Sequence, residues 1–158
     1  MKKKILYLSI IVLILDQLSK ILCDMFLELN KPVSIINSFF SINYVQNEGA
    51  AWSIFSGQRI VLILIGLFAL YFINKFIKDF KENKRNILAF GLLIGGILGN
   101  LLDRMFLGYV RDFLDFKIFG YNYPVFNISD IGIFLGVLLL IIASFKGEDY
   151  GSSSRRKH

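Results

Sequence analysis

The chain has 158 residues, 55% of them hydrophobic, with a net charge of +6 and a mean hydropathy of +0.59. That length suits one domain, and a soluble core of this size has no use for several apolar runs near twenty residues long, so an all-α polytopic membrane protein is expected. With one cysteine, Cys23, and one histidine, His158 at the last position, an intrachain disulfide, a Ser-His or Cys-His nucleophile and a histidine-zinc protease site are excluded.

The positive charge does not point to nucleic acid. Of the 18 Lys and Arg, 12 sit in three clusters: Lys2 to Lys4, Lys75 to Arg85, and Lys146 with Arg155, Arg156 and Lys157. These flank apolar runs as cytoplasmic ends do, and the anionic inner leaflet is a sufficient partner for them.

In chain order, a lysine run followed by apolar residues to Leu15 has the look of a secretory leader. No small-residue cleavage site follows, and Asp16, Gln17, Leu18, Ser19 and Lys20 lead into more apolar residues. Residues 5–25 are therefore expected as a retained first span with a cytoplasmic N-terminus. Asp16 and Lys20 stand at i, i+4 and share a face. Two readings stand for them: a structural ion pair inside the bundle, or direct contact with substrate.

Residues 27–58 form the larger outer segment. Phe40 to Tyr44 alternates as a half-buried strand does, and Asn47-Glu48-Gly49-Ala50-Ala51-Trp52 adds small residues beside an aromatic. A strand-rich cradle on the outer surface is expected, with Trp52 at headgroup depth; an ordinary interfacial loop is the competing reading. Residues 59–75 make the second span, 75–86 a basic cytoplasmic loop, and 87–107 the third span. Gly91, Gly95 and Gly99 form a stripe that admits a neighbouring helix closely. Asn100, Asp103 and Arg104 share one polar face at the outer end of that span. Asp103 with Arg104 is expected as a structural pair.

The second outer segment, 108–128, reads as a short hairpin around Gly120, with Asp115 a solvated loop charge. Residues 129–145 are the fourth span, carrying Gly132 and Gly136, and 146–158 a disordered cytoplasmic tail. All of it belongs to one membrane domain with a small extracytoplasmic β-rich cradle.

Charge near a span is costly and tends to be retained for a task. Asp112 follows the third span and Asp130 opens the fourth, and a hairpin returns the ends between them to one place. Two carboxyls in a desolvated site cannot both ionise cheaply, so the pair holds one proton near neutral pH. Such a pair can deprotonate a water while protonating a scissile carbonyl oxygen. A proton- or ion-coupled transporter would use the same acids, although it calls for carboxylates strung through the membrane depth, and only Asp16 lies deep. Inverted repeats are absent as well.

Taken together, five segments resemble bacterial lipoprotein signal peptidase, or signal peptidase II: Asp16 to Lys20, Asn47 to Trp52, Gly99 to Arg104, Gly108 to Phe113, and Phe126 to Asp130. They occur in the family's order. The resemblance implies a four-helix aspartic endopeptidase of the cytoplasmic membrane, acting on the amino side of a diacylglyceryl-modified cysteine in prolipoproteins. Asp112 and Asp130 match its catalytic pair. Asp16, Lys20, Asn47, Gly49, Asn100, Asp103, Arg104 and Asn127 match its supporting polar set, and no metal or organic cofactor is implied. Ser129 departs from the family's usual alanine, and its hydroxyl is expected to hydrogen-bond the neighbouring acid. The oligomeric state is left open.

Overall fold

The computed structural model describes residues 1–50 and 54–149, so Trp52 and the end of the tail lie outside the described residues. Four helices long and apolar enough to cross a membrane carry a four-stranded antiparallel sheet at one end. In chain order these are α1 (Lys2–Phe26), β1 (Val33–Ile36), β2 (Phe40–Asn47), α2 (Arg59–Phe76), α3 (Lys84–Phe106), β3 (Val110–Ile118), β4 (Tyr121–Asn122) and α4 (Ile128–Phe145). A 3-10 turn, Ile77–Asp79, follows α2.

Helix α3 is the axis of the bundle, because its glycines let two neighbours approach on different sides. A Cβ on Gly91 would stand 2.5 Å from Leu8 Cδ2, and one on Gly95 would stand 2.7 Å from the Ser9 carbonyl oxygen. The Gly91-Gly95-Gly99 stripe therefore receives α1. Gly96, one position off that stripe, faces Ser129 and Ile133 of α4, while Gly132 and Gly136 of α4 lie against the Leu92 and Ala89 carbonyls. Removing side chains at these points brings backbones together and replaces lipid contacts with van der Waals packing. Around this core the apolar faces of α1, α2 and α4 point outward, including Ile10, Ile14, Leu64, Phe68, Phe134 and Leu138. In a bilayer those faces meet lipid.

The sheet runs in the order β1-β2-β3-β4. β2 pairs with β3 so that Val45 is opposite Asp112, Gln46 opposite Arg111 and Asn47 opposite Val110. Gly108, at φ 93°, turns the chain from the end of α3 into β3, a conformation that costs a residue with a Cβ. After β4 the chain folds back along β3: Leu114 forms a bridge with Phe126, and the Phe40, Phe116 and Phe126 rings stack with centroids 4.6 and 5.6 Å apart. That return brings the head of α4 against the start of β3.

The opposite end of the bundle is closed by ion pairs. The Met1 amino group lies 2.7 Å and Lys4 Nζ 3.1 Å from Glu82. Glu148 accepts from Asn83 Nδ2 at 2.8 Å and Arg85 Nε at 3.1 Å, and Phe80 bridges Asp149. Residues 146–149 are thus ordered against the loop between α2 and α3, which corrects the expectation of disorder for that part of the tail. The partly buried Glu148 carboxylate, held by the Asn83 amide and the Arg85 guanidinium, explains the difference.

Candidate active site

Five elements converge at the sheet end of the bundle: the later turns of α1, the last turns of α3, the end of β2, the start of β3 and the first turn of α4. Asp130 is the third residue of α4, and a capping box orients it. Asn127 Oδ1 accepts from Asp130 N at 3.0 Å, and Asp130 Oδ2 accepts from Asn127 N at 3.1 Å. Reciprocal bonds of this kind satisfy helix-end donors that are otherwise orphaned. The spare amide of the same cap, Asn127 Nδ2, donates to Asp112 Oδ1 at 2.6 Å. One asparagine therefore bonds both acids, and the chain brings Asp112 and Asp130 together.

Each acid has one further amide donor, and each donor is held by its own oxygen. Asn47 Nδ2 donates to Asp112 Oδ2 at 2.9 Å, while Asn47 Oδ1 accepts from Gly49 N at 2.9 Å. Asn100 Nδ2 donates to Asp130 Oδ1 at 2.7 Å, while Asn100 Oδ1 accepts from Lys20 Nζ at 3.0 Å and Asn127 Nδ2 at 3.1 Å. An amide whose oxygen is occupied by a donor must turn its NH2 the other way, so Gly49 and Lys20 set the faces that meet the acids. Arg104 reaches across from α3, donating to the Gly49 carbonyl at 2.8 Å and the Asn100 carbonyl at 3.4 Å, within the field of both carboxylates.

Behind this layer lies a buried ionic cluster. Lys20 Nζ is 2.9 Å from Asp16 Oδ2 and 3.4 Å from Asp103 Oδ2, with no side-chain exposure at Lys20 or Asp16. The i, i+4 pair exists as expected. Asp103 does not pair with Arg104: it accepts from Arg111 N at 3.0 Å, Arg111 Nε at 3.2 Å and Arg111 Nη2 at 2.8 Å. Neighbours on one helix turn point their side chains about 100° apart, which sends Arg104 toward the loop and Asp103 toward α1. Asp115 is also more than a solvated charge, since it sits on β3 and accepts from Asn43 Nδ2 at 3.0 Å. Among the described residues the Ser129 hydroxyl is buried without a hydrogen-bond partner and lies against Gly99; it is the Ser129 amide that bonds, to Asp16 Oδ1 at 2.9 Å.

Two groups that motif reading does not single out complete the cluster. Gln17 Nε2 donates to Asp16 Oδ2 at 3.1 Å and Asp103 Oδ1 at 3.2 Å, and Gln17 Oε1 accepts from Arg111 Nη2 at 3.0 Å. The signal available for Arg111 was strand alternation, which turns the residue before Asp112 toward the opposite face. The signal for Asn127 as a cap was its spacing of three from Asp130 at the start of an apolar run.

Asp112 is 2% exposed. Burial pushes its carboxyl up to about 7 and the Asp130 carboxylate adds to this, against the pull of the Asn47 and Asn127 amides. A cleft of about 520 Å³ opens onto it, bordered by Asn47, Glu48, Tyr121 and Tyr123. The arrangement can hold a proton on one acid at neutral pH, keep the second acid beside it, and admit a peptide from the sheet side. Among the described residues, no group of three or more His, Cys, Asp or Glu is placed to hold a metal ion.

The family model for signal peptidase (SPase) II matches residues 8–146. Lipoprotein signal peptidases of Staphylococcus aureus strains JH9 and Newman are each 39% identical over 143 residues, covering 88% of this chain and 86% of their own. A bacterial membrane enzyme solved by the in meso method at 2.3 Å resolution superposes with a TM-score of 0.83 at 37% identity, over 90% of this chain and 87% of that one. A second such structure, at 1.9 Å, gives a TM-score of 0.81 at the same identity, over 90% and 92%. The match runs from the first helix to the last and takes in both segments that carry the paired acids, and the chain therefore belongs to the signal peptidase II family of bacterial membrane peptidases.

Proposed function

We propose that this protein is an aspartic endopeptidase of the bacterial cytoplasmic membrane that removes signal peptides from prolipoproteins, cleaving on the amino side of a diacylglyceryl-modified cysteine. The observation that carries the reading is the bonding of Asp112 and Asp130 to one residue, Asn127, at the end of the bundle where the sheet sits. In the reaction, the ionised acid of the pair takes a proton from a water molecule as its oxygen attacks the scissile carbonyl carbon. The protonated acid gives its proton to the carbonyl oxygen, forming a neutral gem-diol. Collapse breaks the C–N bond: the acid that protonated the carbonyl oxygen takes a proton back from a gem-diol hydroxyl, and the proton taken from water passes to the cysteine nitrogen, which leaves as the new amino terminus. The pair titrates as a unit and shares a single proton near neutral pH, with burial and the neighbouring carboxylate pushing the Asp112 carboxyl up to about 7.

Asn47, Asn100 and Asn127 hold the acids; Gly49 and Arg104 orient Asn47; Asp16, Lys20 and Asp103 hold Asn100 and the neck of the bundle. The basic clusters at the end opposite the sheet support cytoplasmic termini and an outward-facing site. The substrate reaches that site from the membrane, where its signal helix and acyl chains reside among lipids. The whole chain acts as one membrane domain, without metal or organic cofactor. A transporter reading finds less support, because the buried acids gather at one end instead of crossing the membrane depth.

The test uses purified protein with a diacylglyceryl-modified prolipoprotein. Wild type should release the signal peptide, and Asp112→Asn and Asp130→Asn should each lose cleavage while still binding substrate. Full activity in either variant would reject the paired-acid mechanism, and failure of the wild type on every such prolipoprotein would reject the substrate class.

A further inference from the structure

Arg111 stands one residue before Asp112 and takes no part in the reaction proposed above. Its side chain turns to the other face of β3, where it is 7% exposed. It is faced there by Gln17, Cys23 and Asp24 from α1, Asp103 from α3 and Tyr44 from β2. Both oxygens of Asp103 accept from its guanidinium, and its backbone amide bonds Asp103 Oδ2 as well. Arg111 thus fixes the strand that carries Asp112 to the helix that carries Asn100.

The same contact decides where Lys20 spends its charge. Lys20 Nζ has three acceptors in reach: Asp16 at 2.9 Å, Asn100 at 3.0 Å and Asp103 at 3.4 Å. Two carboxylates and one neutral amide compete for one ammonium, and the carboxylates are the stronger acceptors. Arg111 saturates Asp103, which leaves Asp103 the longest of the three contacts and Lys20 on Asn100 Oδ1. That bond holds the Asn100 amide with Nδ2 toward Asp130. The buried charges balance in pairs: Asp16 with Lys20, Asp103 with Arg111, and Arg104 with an acid pair that holds one proton.

We infer that Arg111 is a positioning residue for the acid pair, acting through Asp103 and Lys20 to keep Asn100 turned toward Asp130. The inference rests on the paired-acid reading of the preceding subsection. Without Arg111, Lys20 is drawn to Asp103, Asn100 loses the bond that orients it, and an uncompensated negative charge remains behind the pair. The groups that face the pair itself are Asp16 and Lys20 from α1, Asn47 from β2, Asn100 and Arg104 from α3, and Asn127 at the head of α4. The added negative charge makes both acids harder to ionise, so both limbs of the pH–rate profile move to higher pH.

The experiment compares wild type with Arg111→Met, Arg111→Lys and the double variant Arg111→Met/Asp103→Asn, on one diacylglyceryl-modified prolipoprotein. Arg111→Met should lower kcat by about tenfold to a hundredfold, the scale of a small displacement of a catalytic group, with little change in KM. Its profile should shift upward by roughly half to one pH unit, a modest shift for one charge in a partly solvated site. Arg111→Lys keeps the charge without the fork, so its profile should stay in place even if melting temperature falls. The double variant removes both charges and should return the profile to the wild-type position. It also keeps the test open if Arg111→Met alone does not fold. Profiles at the wild-type position in Arg111→Met, or displaced in the double variant as far as in the single one, would overturn the inference. Since Asp112→Asn is assayed alongside, a silent Arg111→Met beside a dead Asp112→Asn would reject the positioning role and leave the peptidase reading intact.

Discussion

Helices α2 and α3 are of similar length and are built for opposite surroundings. α2 buries only Leu62, whereas α3 buries eleven residues, including four glycines, Asn86, Asn100 and Asp103. Hydropathy runs the other way, at 2.4 for α2 and 1.6 for α3. In a bilayer the surrounding medium is itself apolar, so the greasiest helix needs the least protein around it, and polar groups must be enclosed by other helices. The site is therefore built on the least membrane-like helix. α2 is held to it at the sheet end by Arg59, which donates to the Arg104 and Met105 carbonyls at 2.7 and 2.6 Å, bonds that satisfy the free end of α3.

The sharpest way to break this comparison is to unbalance the buried charges beside α3. Lys20→Ala leaves Asp16 and Asp103 with one cation between them, and losing one member of a buried ion pair costs about 3–5 kcal/mol. Thermal unfolding in detergent should show a drop of roughly ten degrees together with lost turnover. Unchanged melting with lost turnover would make Lys20 a substrate contact instead of a support.

Next comes the glycine seam. A Cβ at Gly99 overlaps Ser129 Oγ and Asp16 Oδ2, and overpacking of this kind costs about 1–3 kcal/mol. Gly99→Ala should melt lower, and adding Ser129→Ala should recover part of the loss in a double-mutant cycle. No coupling between the two would mean that the seam relaxes elsewhere.

The third test concerns pH. Asp112 is pushed up to about 7 by burial and by Asp130, against about 3.9 in an unfolded chain. Between those values the folded protein binds more protons than the unfolded one, so wild-type stability falls as pH rises from about 4 to about 7 and stays low above. Asp112→Asn removes that dependence. The variant should be inactive yet more stable than wild type at pH 8, on the order of 1–2 kcal/mol, with the gap closing toward pH 4. A gap that is equal at both pH values would reject the upward shift of Asp112.

The smallest effect belongs to α2. A Cβ at Gly66 meets only the tip of Leu101, 3.3 Å away, and Ile97 at 4.0 Å. Alanine also gains about 0.8–1.0 kcal/mol of helix propensity over glycine. Gly66→Ala should thus leave melting unchanged or slightly raised. A loss as large as that of Gly99→Ala would show α2 packed as tightly as α3 and end the contrast.

Much of this protein can be read from its residues in order. The apolar runs, the basic flanks, the alternation at Phe40 to Tyr44 and the Asp16–Lys20 spacing each describe a segment against a medium or against its own next turn. So does the placement of Asp112 and Asp130 at the ends of neighbouring spans. The glycine stripe announced a close neighbour without saying which helix would fill it: α1 does so along its length, and α4 meets it at Gly99 and uses Gly96 beside it. Asp103 chose Arg111 across a turn over adjacent Arg104, and Asn127 took both acids.

Apolar length and local spacing depend on short-range geometry and on the membrane, and these the chain determines by itself. Partners of buried charges and amides depend on what arrives from another element at about 3 Å. Several donors here were equally eligible by sequence, and only the closing of α1, β2, α3, β3 and α4 onto one another selected among them, because each donor can satisfy few acceptors and a buried acceptor left unsatisfied is costly.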